Sequence, residues 1–256
     1  MTTAMEALVS IKETEANGGR LVTPTRLSEQ HLLDCGKRGA ANVAKDYGNY
    51  GCGGGWIDKY SDLVKNEGVV EYDSYRAYEN KDGLCEHNAD DVVTNSVADG
   101  QILTSIQDAI LQLQMGPMPI SLTQGDIGFF FYRKGIYSDE DCPTGEYHNH
   151  SMVIVGYGVE TTTVVVTEGT ESTTCRKAKR EEKKKKSCKY GGTFSGKDKC
   201  CTTVTTPEEV ESTEEPYFLL QNSWGTGWGE DGFMRMAITG GRGVCGINRN
   251  LRWLSL

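Results

Sequence analysis

Tyr217-Phe218-Leu219-Leu220-Gln221-Asn222-Ser223-Trp224-Gly225-Thr226-Gly227-Trp228-Gly229-Glu230-Asp231-Gly232-Phe233-Met234-Arg235-Met236 is the stretch around which the chain is organised. An apolar, strand-like run ends in a polar amide, Asn222. It then breaks into a turn where glycines alternate with two tryptophans, before the apolar alternation resumes. Two indoles among close glycines predict rings lying over backbone. A second run, Asn149-His150-Ser151-Met152-Val153-Ile154-Val155-Gly156-Tyr157-Gly158, carries a histidine at the head of another strand. Paired as an antiparallel hairpin, the start of one strand lies beside the end of the other, and His150 meets Asn222. An imidazole beside a shielded carboxamide is what a cysteine nucleophile needs. The amide sets the ring's tautomer and orientation and leaves the other nitrogen to take a thiol proton.

Further short motifs stand in a definite order around this pair. They are Ser28-Glu29-Gln30 before Leu33-Asp34-Cys35, Cys52-Gly53-Gly54-Gly55, and Gly243-Val244-Cys245-Gly246. Together with Asn222-Ser223-Trp224-Gly225, Trp228-Gly229-Glu230 and the His150 strand, they resemble the papain-like cysteine peptidases, the cathepsin family. The resemblance covers the chain except for about residues 159–216. It implies an α+β, two-lobed fold: a helical first lobe over 1–96 and a β-barrel-like second lobe over 97–256, the latter interrupted by an insertion at about 159–216. It implies endopeptidase chemistry on peptide or protein substrates through a Cys-His-Asn site, with His150 and Asn222 catalytic and Trp224 covering their bond.

The same resemblance assigns the substrate groove. Gly54 and Gly55 form a floor on which a peptide backbone hydrogen-bonds, and Asn149 is a further contact. Trp56, Ser121, His148 and Asn250 line the main specificity pocket, which Ser121 and Asn250 make more polar than is usual. Cys35 with Cys85 and Cys142 with Cys245 match two family disulfides. The implied partners include a propeptide or cystatin-like inhibitors, no cofactor is called for, and the implied setting is lysosomal or extracellular. Alignment on Met5-Glu6 puts the nucleophilic cysteine about five residues before Met1. Residues 1–256 are therefore expected to be inactive as they stand. The competing reading is a catalytically inactive homologue that binds peptides or polyanions.

His148-Asn149-His150 also spells a metal pair, because alternate strand residues share a face. No third or fourth ligand stands near it in sequence, so no metal is expected. The charged fraction of 25% and hydrophobic fraction of 37% are those of a globular protein. No apolar run reaches membrane-spanning length, and nucleic acid is not expected as a partner. Nine cysteines point to an oxidising compartment, and an odd count leaves at least one thiol unpaired. With Cys52's family partner lying upstream, Cys52 is the expected odd thiol. Arg176 to Lys199 holds eleven basic and three acidic side chains, a local +8 against a total of -9, so the remainder carries about -17.

Helical spacing of Met1, Ala4, Met5, Leu8 and Ile11 ends at Gly18-Gly19. Ser28 is placed to cap the next helix, with Leu27 and Leu32 as a hydrophobic staple. Trp56, Ile57, Tyr60, Leu63 and Val64 mark another helix, closed by Gly68. A helix from Ser105 to Met115 precedes strand-like runs at Pro119 to Thr123, Phe129 to Tyr132, Ser151 to Gly158, Tyr217 to Asn222 and Gly232 to Ile238. The insertion, rich in Thr, Glu and Lys, is expected to be partly disordered. Its Cys175, Cys188, Cys200 and Cys201 form two local bridges or a zinc site, with bridges favoured.

Overall fold

A computed structural model describes residues 1–94, 102–125, 127–138, 142, 147–167, 169–189, 192–207 and 209–254. The chain divides into two compact units, one of Met1–Val159 with Glu215–Leu256 and one of Glu160–Glu214. The expected boundary between lobes, at 96/97, lies outside the described residues.

The larger unit begins with three helices, α1 Thr2–Ala16, α2 Glu29–Gly36 and α3 Ile57–Glu67. Helix α1 stops where Gly18 and Gly19 turn to positive φ. The Ser28 hydroxyl accepts the His31 N–H at the head of α2, and Leu27 and Leu32 beside it are buried. Gly68 ends α3 at φ 82°. Trp56 stands at the N-cap of α3, outside the helix, with 49% of its surface exposed. An indole held on the cap turns away from the core that α3 shares with α1 and α2. Ala4, Met5, Leu8, Leu27, Leu32, Leu63 and Val64 form that core. A two-stranded pair, β1 Val69–Val70 with β2 Val92–Thr94, closes it.

Helix α4, Ile106–Leu113, is capped by Ser105. Next come strand β3 Met118–Leu122, short helix α5 Ile127–Phe130 and strand β4 Ile136–Tyr137. The expected strand at Phe129 to Tyr132 is thus α5 and the turn after it. An apolar run of this length suits either state, and here Phe129 and Tyr132 are buried three residues apart, a helical spacing. The strands β5 His150–Thr167, β9 Glu209–Gln221 and β10 Phe233–Ala237 complete a five-stranded sheet ordered β3-β5-β9-β10-β4. This sheet is open at β3 and β4, so the barrel-like lobe does not close into a barrel. Leu122 pairs with His150, and Phe233 pairs with Gln221. Met152 and Ile154 enter the sheet's core with Phe218, Leu220, Met234 and Met236. Val153, between them, points to the helical core. The strict alternation of β5 therefore joins the two lobes. Cys35 is bonded to Cys85 and Cys142 to Cys245.

The smaller unit holds strand β6 Thr170–Lys177, helix α6 Arg180–Lys185, strand β7 Thr193–Ser195 and strand β8 Lys199–Thr206, with the sheet ordered β6-β8-β7. The expected disorder is not what is found. Disulfides Cys175–Cys201 and Cys188–Cys200 staple a segment whose apolar content alone is small. Among the described residues, no cluster of His, Cys, Asp and Glu could hold a metal, and no helix is long and apolar enough to cross a membrane.

Candidate active site

His150 opens β5, and Asn222 follows the last residue of the neighbouring strand β9. The end of one strand thereby meets the head of the other. Asn222 takes its place because its backbone N–H donates to the Gly232 carbonyl, closing the Trp–Gly turn. Its Oδ1 lies 2.9 Å from His150 Nε2 and also accepts the Ser223 N–H at 2.8 Å. The backbone donor orients the carboxamide with oxygen toward the ring. Nε2 therefore carries the proton, and Nδ1 keeps the lone pair. Burial pushes the His150 pKa below its ordinary value, and the Asn222 bond pulls it partly back.

Trp224 covers this pair, its ring centroid 5.1 Å from that of His150. The indole is itself supported. Phe130 stacks on it at 5.5 Å, and Phe129 meets both Trp224 and His150 edge-on at about 6 Å. Trp228 is buried and donates its indole N–H to the Phe130 carbonyl. Phe129 and Phe130, both on α5, are expected from the sequence only as part of a strand and not as site residues, and their signal is the aromatic run Phe129-Phe130-Phe131-Tyr132 itself. Glu230 was visible only as part of a motif. It pairs in two places with Arg235 and accepts the Gly135 N–H, tying the Trp–Gly turn to the loop before β4. The Arg235 guanidinium holds the Glu230 carboxyl below its usual range.

A cleft of about 720 Å³ runs past the pair, and Gly54, Gly55, Trp56, Ser121, His148, Asn149, His150 and Asn250 all line it. The two lobes thus bring together every groove residue expected from the sequence. Gly55 is required for a reason nearer to hand than substrate approach. A Cβ there would lie 2.5 Å from Asn49 Oδ1, which receives the Trp56 N–H, and 2.9 Å from the Tyr60 ring. The Asn149 side chain is engaged with the segment that follows β3, donating to the Gln124 carbonyl and accepting from the Gln124 N–H at 2.6 Å each. Asn250 bonds His148 Nδ1 at 3.2 Å and accepts from Arg252 at 2.9 Å. Burial and then the Arg249 charge lower the His148 pKa. The surroundings of His148 are accordingly polar, and both causes disfavour its charged form.

Eight of the nine cysteines are in disulfides, and the remaining one, Cys52, is exposed. Although the side chain is exposed, partial desolvation of the thiol and then its hydrogen bond to the Asp82 carboxylate raise its pKa, the opposite of what a nucleophile needs.

A helical lobe and an open sheet facing each other across a cleft define a papain-like protease fold. The solved structures it matches include digestive procathepsin L 3 of Tenebrio molitor, at a TM-score of 0.60 and 24% identity over 100% of this chain and 62% of that one. Bromelain from Ananas comosus matches with a TM-score of 0.60 and 20% identity, over 100% and 87% respectively. The model of the papain family cysteine proteases matches residues 2–253, and the chain belongs to that family. Among its relatives, digestive cysteine proteinase 3 of Homarus americanus is 28% identical over 82% of this chain and 47% of its own length. Cathepsin S of Mus musculus is 28% identical over 90% and 49%. The chain spans about half the length of the curated relatives it matches.

Proposed function

We propose that the chain supplies the histidine, asparagine and substrate groove of a cysteine endopeptidase whose nucleophilic thiol lies outside residues 1–256. The reading rests on one observation above all, the 2.9 Å bond from His150 Nε2 to Asn222 Oδ1 under Trp224. That bond leaves Nδ1 as the nitrogen able to take a thiol proton, giving a thiolate–imidazolium pair. The thiolate attacks the scissile carbonyl, and the imidazolium returns its proton to the leaving amine. Water, deprotonated by the same ring, then releases the acyl group. Residues 1–96 act as the helical wall of the groove and 97–256, apart from the insertion at about 159–216, as the sheet wall. Peptide or protein substrates occupy the groove, as would a propeptide or a cystatin-like inhibitor. Four disulfides support a lysosomal or extracellular setting.

The test is to place a family-like segment ending in Cys-Trp-Ala-Phe before Met1 and measure peptide hydrolysis. The extended protein is expected to turn over substrate, and residues 1–256 alone are not. In the extended protein, His150→Ala should lower kcat/KM by about 10³-fold or more and Asn222→Ala by less, because only orientation is lost. Thiol-inhibitor-sensitive hydrolysis by residues 1–256, or equal activity in all three extended forms, contradicts the reading.

A further inference from the structure

Eleven basic side chains fall between Arg176 and Lys199. The register of β6 on β8 sets Lys177 opposite Lys199 at one end of the pair and Thr170 opposite Thr206 at the other. All eleven therefore gather at one end of the small sheet, around α6. Glu182 organises that end from inside. It is buried, receives Arg176 through two bonds of 2.7 and 2.8 Å, and accepts the backbone N–H of Lys179 and of Lys189. The lysines from 183 to 186 are exposed, and of these Lys183 pairs with Asp198 at 3.5 Å. Lys186 ends α6 in the left-handed region, at φ 47° and ψ 39°, where glycine is the usual residue. Crowding like charges raises the energy of the folded unit unless a counter-charge arrives. A disordered tether would let the charges spread, whereas here two disulfides and a buried carboxylate hold them together.

We propose that this basic end is a docking surface for a sulfated polysaccharide, which anchors the protein to a polyanionic matrix. The observations favour that partner over other polyanions. An oxidising compartment, marked by four disulfides, offers sulfated glycans. Single-stranded nucleic acid is held by stacked aromatics, and Phe194 is the one aromatic residue described in the smaller unit. Insertion into a membrane surface adds an apolar helix face to the basic charge, and α6, Arg-Glu-Glu-Lys-Lys-Lys, has none. The surface does not depend on the peptidase site and can be tested without catalysis.

Heparin is the probe, titrated against residues 1–256 by calorimetry over a range of NaCl concentrations. The protein is expected to bind despite its net charge of -9, with affinity falling steeply as salt rises. The variant Lys183→Gln/Lys184→Gln/Lys185→Gln/Lys186→Gln should lose at least about tenfold in affinity. The equally neutralised Lys12→Gln/Arg20→Gln/Lys81→Gln/Lys134→Gln should keep wild-type affinity. Should the first variant fail to fold, Lys184→Gln and Lys185→Gln singly must each weaken binding. Absence of heparin binding at low salt overturns the proposal, as does equal loss in both quadruple variants. So does tighter binding to duplex RNA or to phosphatidylserine vesicles than to heparin. A salt-sensitive dimer in place of heparin binding would assign the surface to a second copy of the chain.

Discussion

The carboxamide oxygen of Asn222 accepts two hydrogen bonds at once, from Ser223 N–H and from His150 Nε2. That arrangement makes the ring's proton affinity readable. Burial lowers the His150 pKa, and the Asn222 bond raises it, so removing the bond must lower it further, while a carboxylate in its place must raise it. The expected order of titration midpoints for the His150 ring, followed by NMR, is Asn222→Ala below wild type and Asn222→Asp above it. A midpoint unchanged in Asn222→Ala would mean that the bond is not made in solution. At Gly55 the constraint is steric. Adding a methyl group forces Asn49 and Tyr60 apart, at a cost of about 1–3 kcal/mol. Gly55→Ala should lower stability in urea by that amount and weaken peptide binding in the groove, whereas Gly54→Ala meets no neighbour and is opposed only by its φ of 106°.

Helices α1 to α4 were legible because caps and period agree, as with Ser28 before Leu32 and Gly68 after Val64. The His150–Asn222 pair was legible because strand pairing brings the ends of two recognisable runs together. Helix α5 was not, since Phe129-Phe130-Phe131-Tyr132 is apolar throughout and its state is decided by what packs on it, Trp224 and Trp228. The surroundings of His31 on α2 were equally hidden. That side chain is fully buried, with Nε2 3.1 Å from His87 Nδ1 and its ring edge-on to Tyr75. Burial first, and then the neighbouring His87, push its pKa down to about 4, against a smaller opposing pull from Asp34 and Glu67. A histidine whose pKa is lowered on folding stabilises the fold fully above its unfolded value of about 6.5. That stability, about 3 kcal/mol for a shift of this size, is lost as pH falls through the window down to about 4. Urea unfolding at pH 7 and pH 4 should show a larger loss for wild type than for His31→Gln. An identical loss would remove His31 from the acid response.

The insertion interrupts a hairpin that is otherwise complete. Gly158 and Tyr217 face each other so closely that a Cβ on Gly158 would come within 2.6 Å of the tyrosine hydroxyl, so the strands are already in contact where the excursion begins and ends. The larger unit, Met1–Val159 with Glu215–Leu256, holds both hydrophobic cores, the Cys35–Cys85 and Cys142–Cys245 bridges, and the cleft. The smaller unit carries its own two disulfides and its own sheet. Apolar content alone predicts little structure there, and cross-links with the Glu182–Arg176 pair hold the segment instead. Replacing Thr161 to Glu214 with a short Gly-containing turn shortens the loop that closes β5 onto β9, which does not add to the entropy of closure. The shortened protein is expected to unfold cooperatively with a Tm within about 5 °C of the parent, and its His150 ring should titrate at the parent's midpoint. Loss of cooperative unfolding would show that the excised residues are part of the larger unit's core. A folded protein with a shifted His150 midpoint would show instead that they influence the site's electrostatics.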